Sequence, residues 1–357
     1  MYFLNEPNGL NTAKFYDKIF CFELVPSINP MKNYYINWWN LENLFDVEDS
    51  NDRPDYLKSR LRSELKGWNE HVLDKKLNQI SSIIRQMNNG QGPEIIGVCE
   101  VENKPVMDKL VDKLNPLNRN YVTAHHDTSD NRGIDIAFIY DGDLFDFEGQ
   151  FHYEVLKRSA TRDLFQVNFR TKKGNAFILI GNHWPARSAG IYESEPYRII
   201  AAETLSYWLV RIFEIRGSGI QVFVMGDFND ECFNRSVCDY ALSTNSEDKV
   251  RYSHIPRLYN LMWQSHGQTK GTYYYQNFPL NIDQVLVSKG GILKNSPLRI
   301  ANFPGGDRAW IETFPEMVSG GRYPAPIRFG RPSSKSTYHP DTGFSDHYPV
   351  SMMLSEK

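Results

Sequence analysis

Short apolar runs that stop abruptly at polar residues are the feature of this sequence that most restricts its fold. Tyr34 to Trp38, Glu94 to Cys99, Tyr121 to His125, Asp135 to Tyr140, Leu164 to Arg170, Ala176 to Gly181, Gln221 to Met225, Ile282 to Val287 and Tyr348 to Leu354 each have the length of a strand. None approaches the ~20 apolar residues of a membrane-spanning helix. Helical periods lie between them. Val72, Leu73, Leu77, Ile80, Ile83, Ile84 and Met87 repeat at helical spacing until Asn88-Asn89-Gly90, and Ile199 to Ile215 forms a second helix opening at Glu195-Pro196. A third, capped by Asn103, sets Val106, Leu110, Val111 and Leu114 on one face. Strands outnumber helices and no Pro/Ser-rich linker divides the chain. The pattern therefore predicts one α+β domain in which two sheets pack face to face with helices outside.

A chain of 357 residues that is 41% hydrophobic can build a substantial core. Its net charge of -3 provides no global basic field, so a polyanionic partner has to be held by a local patch or a metal. Cys21, Cys99, Cys232 and Cys238 form no CxxC pair, which favours buried free thiols and a reducing compartment over a disulfide framework or zinc site. The start, Met1-Tyr-Phe-Leu-Asn-Glu-Pro, lacks the basic and apolar regions of a secretory signal. Cytoplasm is the default location, with secretion left open, and a monomer is expected. Residues 1–33 carry no period and read as an extension preceding a domain over 34–357. A Pro/Gly-rich loop at about 303–342 interrupts that domain; between Arg322 and Pro340 it holds Arg322, Arg328, Arg331 and Lys335 with no acid, interleaved with Tyr323, Phe329 and Tyr338. That composition suits phosphate contact and base stacking as well as it suits a solvated loop.

Polar residues at the ends of the runs carry the chemistry. Glu100 follows Ile95-Ile96-Gly97-Val98-Cys99, where a carboxylate can hold a hard divalent ion, while Glu102 reads as serving the turn into the next helix. Asn40 follows Trp38-Trp39 and can bind a metal or orient Glu100; Glu42 and Asn43 are weaker candidates. Asp227 and Asn229 follow a buried run and face the same way, with Gly226 allowing close approach of a backbone or phosphate. A carboxylate there can align or deprotonate water, and a neutral amide can donate to a phosphoryl oxygen. Asp230 reads as a loop acid. His183 and His347 both adjoin strand ends, and Asp283 can hold an imidazole in a productive tautomer. Such a set supplies what cleavage of a phosphate ester requires.

The ordered series Asn40, Glu100, His183, Asp227-Phe228-Asn229, Asp283 and Ser345-Asp346-His347 resembles the endonuclease/exonuclease/phosphatase superfamily. The strings Arg132-Gly133-Ile134-Asp135-Ile136-Ala137, Asn182-His183-Trp184-Pro185-Ala186-Arg187 and Asp283-Gln284-Val285-Leu286-Val287-Ser288 are similar to its bacterial nuclease-like branch. The likeness runs from about Tyr34 to Leu354. It implies a four-layer α/β sandwich with two mixed β-sheets and a Mg²⁺- or Mn²⁺-dependent phosphodiesterase, foremost a nuclease acting on DNA or RNA. A phosphomonoesterase or sphingomyelinase-like enzyme on small or lipid phosphates is the alternative. By the same resemblance Glu100, Asn40 and Asp346 hold the metal and His347 is the general base, oriented by Asp283. His183 contacts phosphate or protonates the leaving group, with Asp135 as its guessed acidic partner. Asp227 and Asn229 position water and phosphate, and Arg187, Arg322, Arg328, Arg331 and Lys335 are candidate substrate contacts. Cys99 departs from the family pattern, which commonly has Gln before the metal-binding Glu.

Overall fold

The structure, a computed structural model, describes residues 31–302, 306–320, 323–333 and 338–357. Residues 1–30, Arg322 and Lys335 lie outside the described residues. Met31–Lys357 form one compact unit. Its first third runs β1 (Lys32–Leu44), α1 (Asp55–Leu61), α2 (Glu70–Gly90), β2 (Ile95–Val101), α3 (Lys104–Lys113), β3 (Tyr121–His125) and β4 (Asp135–Asp141). There follow β5 (Phe145–Tyr153), β6 (Leu164–Thr171), β7 (Ala176–His183), α4 (Ile191–Arg216), β8 (Gln221–Asp227), β9 (Ser243–Thr244), α5 (Glu247–Arg251) and β10 (Leu258–Asn260). The chain closes with β11 (Tyr273–Tyr275), β12 (Phe278–Leu280), β13 (Asp283–Val287), α6 (Lys289–Ile292), β14 (Leu298–Ala301), β15 (Ala309–Ile311) and β16 (Val350–Glu356).

Two seven-stranded mixed sheets result. One has the order β14-β16-β1-β2-β4-β3 with β15 also on β16, and the other β5-β6-β7-β8-β13-β10-β9. Alternation along each strand sorts side chains between layers. In β1, Ile36 and Trp38 face inward to Phe138, Phe177, Met225 and Val350, forming the core between the sheets. Tyr35 and Trp39 face the other way, against Leu77 and Ile80 of α2 and Leu110 of α3. On the second sheet Ile178, Ile180, Val222 and Val224 pack outward on Ala201, Leu205 and Leu209 of α4. Helix, sheet, sheet and helix make the four layers. Because both faces of the central strands are covered, those strands appear in the sequence as unbroken apolar runs.

Elements without such a run escape the sequence reading. In β5, Phe-Asp-Phe-Glu-Gly-Gln-Phe-His-Tyr buries little beyond its two ends, as an edge strand with one wet face does. Helix α4 opens at Ile191 rather than at Glu195-Pro196, leaving Pro196 inside it; Tyr192 is exposed, so water can solvate the carbonyl that Pro196 cannot bond. The Asn103 cap is present, accepting from Val106 N at 2.9 Å. Described parts of the Pro/Gly-rich stretch are built into the fold. β15 pairs with β16, and Phe329 is fully buried with its ring 5.8 Å from that of Trp68.

Just beyond β2, Glu102 meets Arg53 in a buried pair. Arg53 donates to Glu102 through Nε at 2.5 Å and Nη2 at 2.8 Å, and to the carbonyls of Asp46, Val47 and Glu48. Removing the acid would strand a fully desolvated guanidinium. Glu102→Ala is therefore expected to lower unfolding free energy by about 3–5 kcal/mol, measured by urea denaturation; a loss below about 1 kcal/mol would refute this role.

Candidate active site

Strand register assembles the site. In the second sheet His183, Asp227 and Asp283 stand opposite one another across β7, β8 and β13, so their side chains leave the same face at the same level. In the first sheet Asn40 of β1 lies beside Cys99 of β2, and Glu100 follows at an irregularity where the β2–β4 ladder shifts register. β16 runs antiparallel to β1 with Val350 opposite Trp38, which carries the residues just before β16 past the end of β1. There Ser345 Oγ donates to Asn40 O at 2.6 Å and Trp39 Nε1 to His347 O at 2.8 Å. Gly226 is needed for a tight crossing: a Cβ on it would lie 2.3 Å from Asn182 O.

Backbone strain collects at the same place. Glu42 (φ 51°), Asn43 (φ 59°), Glu100 (φ 62°) and Asn229 (φ 49°) all occupy the left-handed region that side chains other than glycine usually avoid. Such outliers persist where surrounding packing over-determines them, and they cluster at functional sites.

At the centre, His347 Nδ1 is 2.7 Å from Asp283 Oδ2, and its Nε2 is 3.8 Å from Asp227 Oδ2 and 3.9 Å from Asp346 Oδ1. Asp227 is held from two sides, by Asn229 N at 2.8 Å and Asn40 Nδ2 at 3.1 Å. Burial disfavours a charged His347, yet Asp283 outweighs it, with help from Asp227 and Asp346, and the imidazole pKa lies well above its ordinary value. Burial pushes the Asp227 carboxyl up to about 7, with Asp283 adding to the effect and His347 opposing it. Asp227 and His347 are thus pushed towards their protonated forms, Asp227 by burial and His347 by the carboxylates around it.

His183 behaves differently. Burial first, then Arg162, Arg132 and His347, holds its pKa well below the ordinary value, so it is neutral. Its Nε2 is 3.7 Å from Glu100 and 3.8 Å from Asp227, and its Nδ1 has no hydrogen-bond partner among the described residues. The guessed pairing with Asp135 does not occur. Asp135 instead accepts from Thr128 N at 3.0 Å and Thr128 Oγ1 at 2.5 Å, and lies 3.6 Å from His125.

The Glu100 carboxylate accepts no hydrogen bond among the described residues, its nearest cationic neighbour being Arg132 Nη1 at 3.6 Å. Burial raises its pKa, but Arg132, His347, Arg162 and Lys76 together more than offset this, so it is charged. A charged carboxylate with free lone pairs, partly buried but still reachable from solvent, fits a hard divalent cation. Asp346, on the same rim, is 3.3 Å from Arg328 Nη2. Asn40 uses both ends of its amide, the oxygen on Glu42 N at 3.0 Å and the nitrogen on Asp227, so orienting Asp227 is its visible role.

Several residues prove more deeply embedded than the sequence implied. Glu42 is buried, accepts from Arg328 Nε at 2.8 Å and from Phe329 N at 3.1 Å, and is pushed up to about 7 by burial and by Asp346. Beneath it Lys76 donates to Glu42 O at 2.5 Å. Lys76 stands in the apolar stripe of α2, four residues after Val72 and four before Ile80, a signal that could have exposed it. Asp230 is a buried hub rather than a loop acid, binding Arg198 at 2.7 Å, Arg187 at 2.8 Å and Ser236 at 2.5 Å. Arg132 donates to Asn43, and Arg162 donates to Trp184 O at 3.0 Å. The expected acid-free basic cluster is corrected in part: Arg331 pairs with Glu64 and covers the Phe45 ring, Arg328 is shared by Glu42 and Asp346, and Arg187 also donates to Asn229 O at 2.5 Å.

Because the folded His347 pKa exceeds its unfolded value, the stabilisation from its charged form is complete below about pH 6.5 and fades as pH rises through the folded pKa. Asp283→Asn removes the largest opposing charge, so His347 should titrate at lower pH in that variant, read from the imidazole NMR shift of metal-free protein. An unchanged His347 titration would contradict the pairing.

A profile described as "Endonuclease/Exonuclease/phosphatase family" matches residues 35–356. Among curated protein sequences no significant match is found. Solved structures do match. An endonuclease/exonuclease/phosphatase family protein from Bacteroides thetaiotaomicron superposes with a TM-score of 0.53 at 15% identity, covering 92% of this chain and 99% of its own. The mannosyl-6-phosphatase Bt3783 of the same organism gives 0.53 at 16% identity, covering 90% and 99%. The human Nocturnin catalytic domain with bound sulfate anion gives 0.51 at 14%, covering 91% and 94%. At these identities the likeness establishes the fold alone.

Proposed function

The chain belongs to the endonuclease/exonuclease/phosphatase family, whose members are phosphoester hydrolases, and from that premise we propose that it is a divalent-metal-dependent phosphodiesterase acting on nucleic acid. The observation that carries this reading is the meeting of Asp227, Asp283 and His347 beside the unbonded carboxylate of Glu100. Glu100 and Asp346 would hold Mg²⁺ or Mn²⁺, which when bound neutralises charge on the phosphoryl and leaving oxygens.

The rest is work for side chains. The ionised form of Asp227 accepts the proton of the attacking water, with the charged His347 imidazole 3.8 Å away favouring that form, so the base is the Asp227 carboxylate rather than His347. Asp283 fixes His347 through Nδ1 and leaves Nε2 turned towards Asp227. Asn229 donates one amide hydrogen to Trp184 O at 3.0 Å, keeping the other for a phosphoryl oxygen. Neutral His183 can donate a hydrogen bond to that oxygen but lacks the carboxylate that would make it a strong proton source. A small or lipid phosphate ester is the second reading, favoured by one fact: Arg187, Arg328 and Arg331 are all tied to carboxylates, which leaves them less free to follow a polyanion.

Glu100→Gln is expected to weaken Mg²⁺ binding by at least ~10-fold, the lower end of what even changes behind a metal ligand cost, and nearly to abolish turnover. Calorimetric titration showing wild-type affinity would sink the metal assignment. A substrate panel of duplex DNA, single-stranded DNA, RNA, sphingomyelin and inositol phosphates, with and without chelator, tests the rest. Chelator-sensitive cleavage of a polynucleotide supports the nuclease reading, and cleavage of small or lipid esters alone overturns it.

A further inference from the structure

Away from these residues a second group of metal-ligating side chains converges. His126 follows β3, the edge strand of one sheet; His152 lies on β5, the edge strand of the other; Asp163 immediately precedes β6. One potential ligand atom from each lies within 4.8 Å of the other two. The two imidazoles stack at 3.7 Å with 21° between their planes, and His152 Nδ1 is 3.1 Å from Asp163 Oδ2.

Folding alone does not account for this arrangement. Asp163 is 7% exposed, and its Oδ1 is buried without a hydrogen-bond partner among the described residues. An orphaned buried acceptor costs about 1–3 kcal/mol, and more when charged. Two stacked imidazoles cannot both be protonated without repulsion, so at least one offers a lone pair. His152 is itself exposed, giving an ion a way in. The neighbouring trio His125, Asp127 and Asp135 is a poorer candidate, because Asp135 is already bonded by Thr128.

We propose that His126, His152 and Asp163 form a second metal site, selective for a borderline divalent ion of the zinc class, that clips the edge of one sheet to the edge of the other. Two imidazoles and one carboxylate suit such an ion with a water in the fourth position, whereas Mg²⁺ prefers all-oxygen surroundings. The clip also fixes what its ligands adjoin. His126 opens the β3–β4 loop carrying Arg132 beside Glu100, and Asp163 follows Arg162, which holds Trp184 O. Zinc binding would thus order both arginines at the rim.

The test is titration of Zn²⁺ into the full chain in saturating Mg²⁺, with uptake read by competition against a zinc indicator and melting temperature followed in parallel. Wild-type protein should take up one equivalent at this site and melt higher with zinc. His152→Ala and Asp163→Asn should bind at least tenfold more weakly and lose the zinc-dependent rise, while keeping Mg²⁺-dependent hydrolysis of a small diester. Uptake unchanged in both variants, or none by the wild type at micromolar Zn²⁺, overturns the proposal. So does an equal fall in melting temperature with and without zinc, which would mark the trio as packing alone.

Discussion

Glu42, Glu100, Asp227, Asp283 and Asp346 are drawn into one end of the sandwich, and keeping that much negative charge away from water is the constraint on which the structure turns. Two carboxylates 4 Å apart repel by about 4 kcal/mol at the effective dielectric of a protein site. The fold answers in two ways. Cations reach in from distant segments: His347 to Asp283, Arg328 to Glu42 and Asp346, Arg132 towards Glu100 and Lys76 beneath Glu42. Where they do not suffice, a carboxyl retains its proton, and both Asp227 and Glu42 are pushed up to about 7. Glu100 is left charged and unbonded, which is the state a divalent cation would complete.

Holding this charge requires a stiff frame. Register across β7, β8 and β13 fixes Asp227 and Asp283, with His183 beside them, without any loop, and a slip of one residue would turn all three side chains to the opposite face. The other sheet reaches the same point by irregularity, with Glu42, Asn43 and Glu100 in left-handed conformations where the ladders of β1 and β2 break. Such conformations cost of order 1–3 kcal/mol each, and the core of Trp38, Phe138 and Phe177 supplies the cohesion to hold them.

What the sequence revealed follows from the same physics. Central strands covered on both faces stand out as apolar runs, so β2, β4, β7, β8 and β13 were legible within two residues at either end. The polar residues at their tips were legible too, because nothing but chemistry or a turn puts Asp-Phe-Asn or Ser-Asp-His after such a run. Edge strand β5 was not, since its exposed residues break the pattern. Side-chain partnerships were invisible: an apolar pattern does not say that Asp135 bonds Thr128, 7 residues away, rather than His183, and nothing near Arg328 says that Glu42, 286 residues away, neutralises it. Asp230 looked like a loop acid for the same reason. Its partners Arg187 and Arg198 come from another part of the chain.

Where a divalent cation binds relative to Glu100 decides whether this end of the sandwich is a metal centre. Anomalous scattering from crystals grown with Mn²⁺ answers this directly. The predicted result is a peak in direct contact with the Glu100 carboxylate, within the roughly 2.0–2.6 Å typical of hard cations on oxygen, and on the side of Asp346. A peak held by Asp227, Asp283 and His347 with Glu100 unliganded, or no peak at this end of the sandwich, would contradict it.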